Sequence, residues 1–223
     1  MESPTTLRAV RSWDEAVPQQ ASEEGALEAM LLAVGAKGYE KASVQEVLER
    51  SGISRERFQR RFGGKEACFA QAYEMAVDRI CAEALEAARG AESWRAGFRA
   101  ALTGLLRAVA EQPLLAKALL IEVRAARGEA WAKHQQAIER LAKAVDLARQ
   151  EPGVAPSASA LTAQFVVGAI EEAICTEIGA GRAAEVEGLL PGLTHLAILQ
   201  YFGEDQAWLE LGSADLAPVD PSA

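Results

Sequence analysis

The sequence has little of what most direct chemistry requires. Its 223 residues include three cysteines and two histidines. Cys68, Cys81 and Cys175 are far apart and odd in number, so neither a disulfide framework nor zinc-ligand spacing is available. His134 and His195 are equally distant and no H-E-x-x-H run occurs, which excludes the helical zinc-hydrolase pattern. Aromatic residues make up 6% of the chain and never join β-branched residues in alternating runs, so no sheet is expected. No uninterrupted apolar stretch approaches the roughly 18 residues of a membrane span. The N-terminal run MESPTTLRAVRSWDEAVPQQ lacks the apolar segment that directs secretion. A reduced, cytoplasmic location is expected, with no metal and no cofactor.

Phosphate loops and serine elbows are missing too. Phe62-Gly63-Gly64-Lys65 has Gln59 where a phosphate loop needs its first glycine, and no G-x-S-x-G run exists. Adjacent acids such as Glu171-Glu172 diverge on a helix and read as ordinary charge. The chain is read as non-enzymatic.

What is present favours helix. Half of the residues are apolar, and Ala, Leu, Glu and Arg dominate. The fold class expected is all-α: an N-terminal three-helix helix-turn-helix domain followed by a larger helical domain. The formal charge of −9 argues by itself against nucleic acid, but its distribution matters more. Residues 37–65 carry eight lysines and arginines against four glutamates, a local +4 that leaves −13 for the rest.

Helix ends are marked along the chain. Ser22 followed by Glu23 and Glu24 predicts an N-cap, Leu27, Met30, Leu31 and Val34 form a stripe, and Gly38 stops the helix. Ser43 with Glu46 predicts a capping box for a second helix that ends at Gly52. Ser54 caps a third, whose Phe58 and Phe62 lie one turn apart, and Gly63-Gly64 break it. A long helix is expected from about Lys65 to Ala88, then stretches near 92–111, 113–125, 127–150, 157–180 and 186–202. Residues 1–20 are read as an arm and 204–223 as an acidic tail that begins as a short helix.

Two short helices joined by Ser51-Gly52-Ile53-Ser54 behind a first helix match a helix-turn-helix. With Phe58 and Phe62 turned inward, the third helix presents Arg55, Glu56, Gln59 and Arg60, flanked by Arg57 and Arg61. Such a helix fits the DNA major groove, where arginine pairs with guanine edges and a carboxylate accepts from cytosine.

At these residues the sequence resembles the TetR family of one-component regulators. Gly38-Tyr39, Ser43 to Gly52, Ile53-Ser54-Arg55 and Phe62-Gly63-Gly64-Lys65-Glu66 carry the likeness, which is strongest over residues 22–75. Leu190-Pro191-Gly192 through Tyr201-Phe202-Gly203 resembles the last helix of many members. The resemblance implies a helix-turn-helix over residues 21–66 and a ligand-binding and dimerisation domain over 67–203. It implies phosphate contacts from Ser43 and Lys65, base contacts from Arg55, Glu56 and Arg60, and backbone contacts from Arg57, Gln59 and Arg61, with Ser54 at the turn. Members often have Gly-Thr where this chain has Glu56-Arg57, and tyrosine where it has Gln59.

For the larger domain, Val166, Ile170, Ile174 and Ile178 form one stripe and Leu161, Phe165, Gly168, Glu172 and Cys175 another. With Leu189, Leu193, Leu196 and Tyr201, these are candidates for a homodimer interface. A pocket for a largely apolar small molecule is expected among Phe69, Tyr73, Ile80, Phe98, Leu102, Leu119, Glu122, Trp131, His134 and Phe165. The resemblance implies a transcriptional regulator, commonly a repressor, that reads a near-palindromic double-stranded DNA operator and is released by that effector. The alternative is a helical interaction module without sequence-specific DNA binding.

Overall fold

The computed structural model describes residues 22–212, in which helices and turns account for the whole path. The arm at 1–20 and the end of the tail lie outside the described residues. Helix α1 (Glu23–Lys37), α2 (Val44–Ser51) and α3 (Arg55–Phe62) precede the long α4 (Lys65–Ala88) and α5 (Trp94–Glu111). Helix α6 (Pro113–Lys117) runs into a π-helical turn (Ala118–Glu122) and a short α7 (Val123–Ala126). Helix α8 (Gly128–Val145), α9 (Ala160–Gly179), α10 (Leu190–Phe202) and α11 (Glu204–Gly212) complete the order.

The N-terminal helices start where polar caps stand. The Ser22 hydroxyl accepts from the Gly25 N–H at 2.9 Å, and the Ser54 hydroxyl accepts from Arg57 at 3.2 Å. At α2 the box closes both ways: Glu46 N–H donates to Ser43 Oγ, and Ser43 N–H donates to the Glu46 carboxylate at 3.0 Å. Gly52 (φ 68°) and Gly63 (φ 73°) end α2 and α3 in the left-handed region, which a Cβ would strain.

Farther on, the path departs from sequence periodicity. The stretch expected over 113–125 takes up an extra residue in the π-helical turn, then breaks at Arg127, whose φ is 53°. The stretch expected from 157 begins at Ala160, because the Thr162 hydroxyl accepts from the Ser159 N–H and fixes the cap there. A 3₁₀ turn over Asp146–Gln150 closes α8, and another over Ala183–Leu189 precedes α10.

Two main apolar clusters hold the chain. The first joins Met30, Leu31 and Val34 of α1 to Val47, Phe58 and Phe62, then continues through Phe69 and Tyr73 of α4 to Leu119 and Val123. The second packs Leu102 and Leu106 of α5 against Val166, Ile170 and Ile174 of α9 and against Ile198 and Tyr201 of α10. Fully burying one such side chain stabilises by about 1.5–3 kcal/mol.

Helix α1 sits directly on α6. A Cβ added at Gly35 would lie 2.7 Å from the carbonyl carbon of Leu114, so only glycine permits this approach. The π-helical turn stands between the clusters. Its Ala118 and Leu119 belong to the first, while Leu120 and Ile121 pack against the second.

Candidate nucleic-acid interface

Helix α3 is a two-faced element. Phe58 and Phe62 are 1% and 4% exposed, with ring centroids 5.1 Å apart, and fix the helix on the first cluster. Ser54, Arg55, Glu56, Arg57, Gln59, Arg60 and Arg61 are all exposed on its remaining surface. Ser43, at the start of α2, is exposed as well. Eight of the nine sequence-predicted contact residues are therefore exposed, and Lys65 is half-buried.

The four arginines of α3 have different partners. Arg55 Nη2 donates to the Gln45 side-chain carbonyl at 2.7 Å, across to α2. Arg60 lies 3.8 Å from Glu56, one turn back. Arg61 and Arg57 both turn to Glu23 at the start of α1, at 2.8 and 3.6 Å. Arg61 also donates to Gln71 at 2.9 Å. The Glu23 carboxyl is held below its ordinary value, chiefly by the Arg61 hydrogen bond. Gln59 donates its amide to the Gly63 carbonyl at 2.7 Å.

Lys65 does not project freely as the start of α4 suggests. Its ammonium donates to the Tyr39 carbonyl and stands 4.3 Å over the Tyr39 ring. Partial burial pushes its pKa down. Behind it the Tyr39 ring packs on Phe69, centroids 5.2 Å apart.

Residues 28–72, which contain α2 and α3 entire, match the model of the bacterial regulatory proteins of the tetR family. This is a tetR-family regulatory domain. No curated protein matches the chain. Two solved structures share its fold beyond the domain. One is the fatty acid degradation regulator FadR from Bacillus halodurans, 14% identical, with a TM-score of 0.72 over 79% of this chain and 98% of that one. The other is a TetR-like transcriptional regulator from Rhodococcus sp. RHA1, 21% identical, with a TM-score of 0.56 over 79% of this chain and 93% of that one. The chain is a DNA-binding transcriptional regulator whose tetR-type domain lies within residues 28–72. Among the described residues, no helix is long and apolar enough to cross a membrane.

In the larger part of the regulator, most of the residues expected to line one pocket are divided between the two clusters. Phe69, Tyr73 and Leu119 are buried in the first cluster, with Ile80 and Trp131 packed against it. Leu102 is buried in the second, with Phe98 against it. Phe98 stacks on Trp94, centroids 4.9 Å apart. Phe165 is 56% exposed and lines no interior, a correction that follows from its place on the outer side of α9. Glu122 faces the DNA-binding domain instead: its carboxylate accepts from the Tyr39 N–H at 2.9 Å.

His134 is 2% exposed and belongs to a polar relay. Its Nδ1 lies 3.0 Å from the Tyr73 hydroxyl and its Nε2 lies 3.2 Å from Glu171. A ring protonated at Nε2 satisfies both contacts, accepting from tyrosine and donating to the carboxylate. Glu171 also accepts from Arg124 at 2.9 Å, and Trp131 stacks on the imidazole at 4.9 Å. The His134 hydrogen bond is the main reason the Glu171 carboxyl lies below its ordinary value, with Arg124 adding to it against the effect of burial. Glu171 is thus not ordinary surface charge. Adjacent acids do diverge, and here divergence sends Glu171 inward while Glu172 stays exposed.

Proposed function

We propose that the chain is a homodimeric repressor that reads a near-palindromic operator and is released by a small, largely apolar effector. The observation that supports this most is α3 itself, a capped helix with two buried phenylalanines behind and four exposed arginines in front. In this reading Arg55, Glu56 and Arg60 reach base edges, and Ser43, Ser54, Arg57, Gln59, Arg61 and Lys65 serve the backbone. Arg57 and Arg61 then exchange Glu23 for phosphate oxygens, and Lys65 leaves Tyr39. Arg55→Ala and Arg60→Ala are each expected to weaken specific binding by ~1–3 kcal/mol and to relax one base position. Unchanged affinity in both variants overturns the assignment of α3.

The direct test is recovery of bound sequences from a random duplex pool at two salt concentrations. A regulator of this kind enriches a near-palindrome and loses affinity steeply with salt, because phosphate contacts release counterions. Failure to enrich any sequence, with weak binding at low salt, points to an interaction module.

A dimer supplies the two-fold symmetry of such an operator, with recognition helices about 34 Å apart. Its proposed seam is the outer stripe of α9, where Leu161 is 70% and Phe165 56% exposed beside exposed Gly168 and Glu172. Val166, Ile170, Ile174 and Ile178, the other stripe considered, are occupied in the second cluster, as are Leu193 and Tyr201. Phe165→Glu is expected to convert a micromolar dimer to monomer in sedimentation, with helical circular dichroism retained. A dimer that survives this change places the seam elsewhere.

In the effector-released state, a ligand acts only through its different affinity for two arrangements of the domains. Helix α4 and the Glu122–Tyr39 contact both connect the larger domain to the DNA-binding one.

A further inference from the structure

Gln45 belongs to α2, outside the recognition helix, and no reading above gives it a role. Its exposed amide is nevertheless held at both ends. Its nitrogen donates to Glu49 Oε1 at 2.8 Å, one helical turn on, and its oxygen accepts from Arg55 Nη2 at 2.7 Å. An amide left to itself presents oxygen and nitrogen about equally well in either orientation. Glu49 removes that freedom, because a carboxylate takes only the NH₂ end. The carbonyl is thereby committed to the guanidinium.

Arg55 is the first residue of α3, the end of a recognition helix that approaches base edges. An arginine side chain gives up much of its rotamer freedom to meet a base in bidentate fashion. A fixed acceptor on one Nη orients the fork before DNA arrives and leaves other N–H groups for a guanine edge. Glu49 acts through the amide rather than on the arginine directly.

We propose that Gln45 is a positioning residue that sets the base preference of Arg55, with Glu49 fixing its orientation. This rests on the reading of Arg55 as a base contact. The test is selection from random duplexes with the full chain and four variants: Arg55→Ala, Gln45→Ala, the double variant of both, and the exchange Gln45→Glu/Glu49→Gln. The exchange keeps net charge, an acceptor for Arg55 and the bond between positions 45 and 49.

Arg55→Ala is expected to flatten one base position by ~10-fold or more in preference. Gln45→Ala flattens the same position, by several-fold, with the salt slope unchanged because no phosphate contact is lost. Combining the two adds nothing to Arg55→Ala at that position. The exchange restores the preference, although overall affinity falls as a carboxylate approaches the backbone.

If Arg55→Ala flattens a position that Gln45→Ala leaves intact, the positioning role is overturned and the reading of Arg55 stands. A different position flattened by Gln45→Ala makes Gln45 a base contact itself, which also overturns it. So does an exchange that fails to restore the preference. A selection unchanged by Arg55→Ala removes the underlying reading and this inference with it.

Discussion

Replacing Gly35 with alanine is expected to destabilise the protein by about 3 kcal/mol, as overpacking against immovable atoms does. The added Cβ would meet the carbonyl group of Leu114, 2.7 Å from its carbon, and the obstacle is backbone rather than a side chain that can swing away. Relief requires α1 and α6 to separate along their contact, which loosens Leu31 and Val34 on one side and Leu115 on the other. For a chain of this length 3 kcal/mol corresponds to a fall in melting temperature of roughly 6–12 °C. Chemical denaturation is the check: the midpoint should fall with little change in slope. An alanine at Gly104, where the added atom meets nothing within 4 Å, serves as the control. A midpoint equal to wild type at Gly35 means that α1 and α6 do not approach as described.

The second large effect is expected at the relay. His134→Leu removes the imidazole that joins Tyr73 to Glu171, leaving a buried hydroxyl without its partner and a carboxylate held by Arg124 alone. Leaving such groups unsatisfied costs about 1–3 kcal/mol each, so a loss near 3 kcal/mol is expected at neutral pH. Tyr73→Phe, which deletes one hydroxyl, should cost about 1 kcal/mol. The effect of acid gives a sharper test. The folded Glu171 carboxyl titrates below its ordinary value of 4.5, with the His134 hydrogen bond the main cause. A depressed carboxyl contributes stability above its unfolded pKa and loses it as pH falls through the folded one. The gap in stability between wild type and His134→Leu should therefore narrow as pH drops below 4.5. A gap that stays constant through that range shows that the histidine does not hold the carboxylate.

The N-terminal helices could be read from the sequence because local signals settle them. Serine caps, a reciprocal box at Ser43 and Glu46, and glycines where φ is positive act within four residues, so their geometry needs no distant partner. Helix α4 has no such cap at either end: Gly64 offers no side chain and Arg89 stays in the right-handed region. The interior of the larger domain could not be read from local signals. A stripe of Leu161 and Phe165 has the same spacing as one of Val166 and Ile170, and only tertiary packing decides which is covered.

Polar residues were harder still, since their partners are remote in sequence. Glu122 bonds a backbone N–H 83 residues away, and His134 meets a tyrosine 61 residues away. Nothing in the neighbourhood of either residue names that partner. Arg57 and Arg61 illustrate the same limit at shorter range: their spacing identifies a basic flank, but Glu23 as their counter-ion depends on how α1 lies across α3. The π-helical turn has no sequence signature in Ala118–Glu122 beyond a good helical composition.

The first apolar cluster runs without interruption from Met30 through Phe58 and Phe69 to Leu119 and Val123. The N-terminal helices therefore own no private interior; the cluster that buries Val34 also holds Leu119 and Val123, 85 and 89 positions downstream. Such a head is not an exchangeable cartridge. Grafted onto another body, α1 to α3 would bring half of a seam whose other half stays behind. The same continuity predisposes head and body to unfold as one cooperative block.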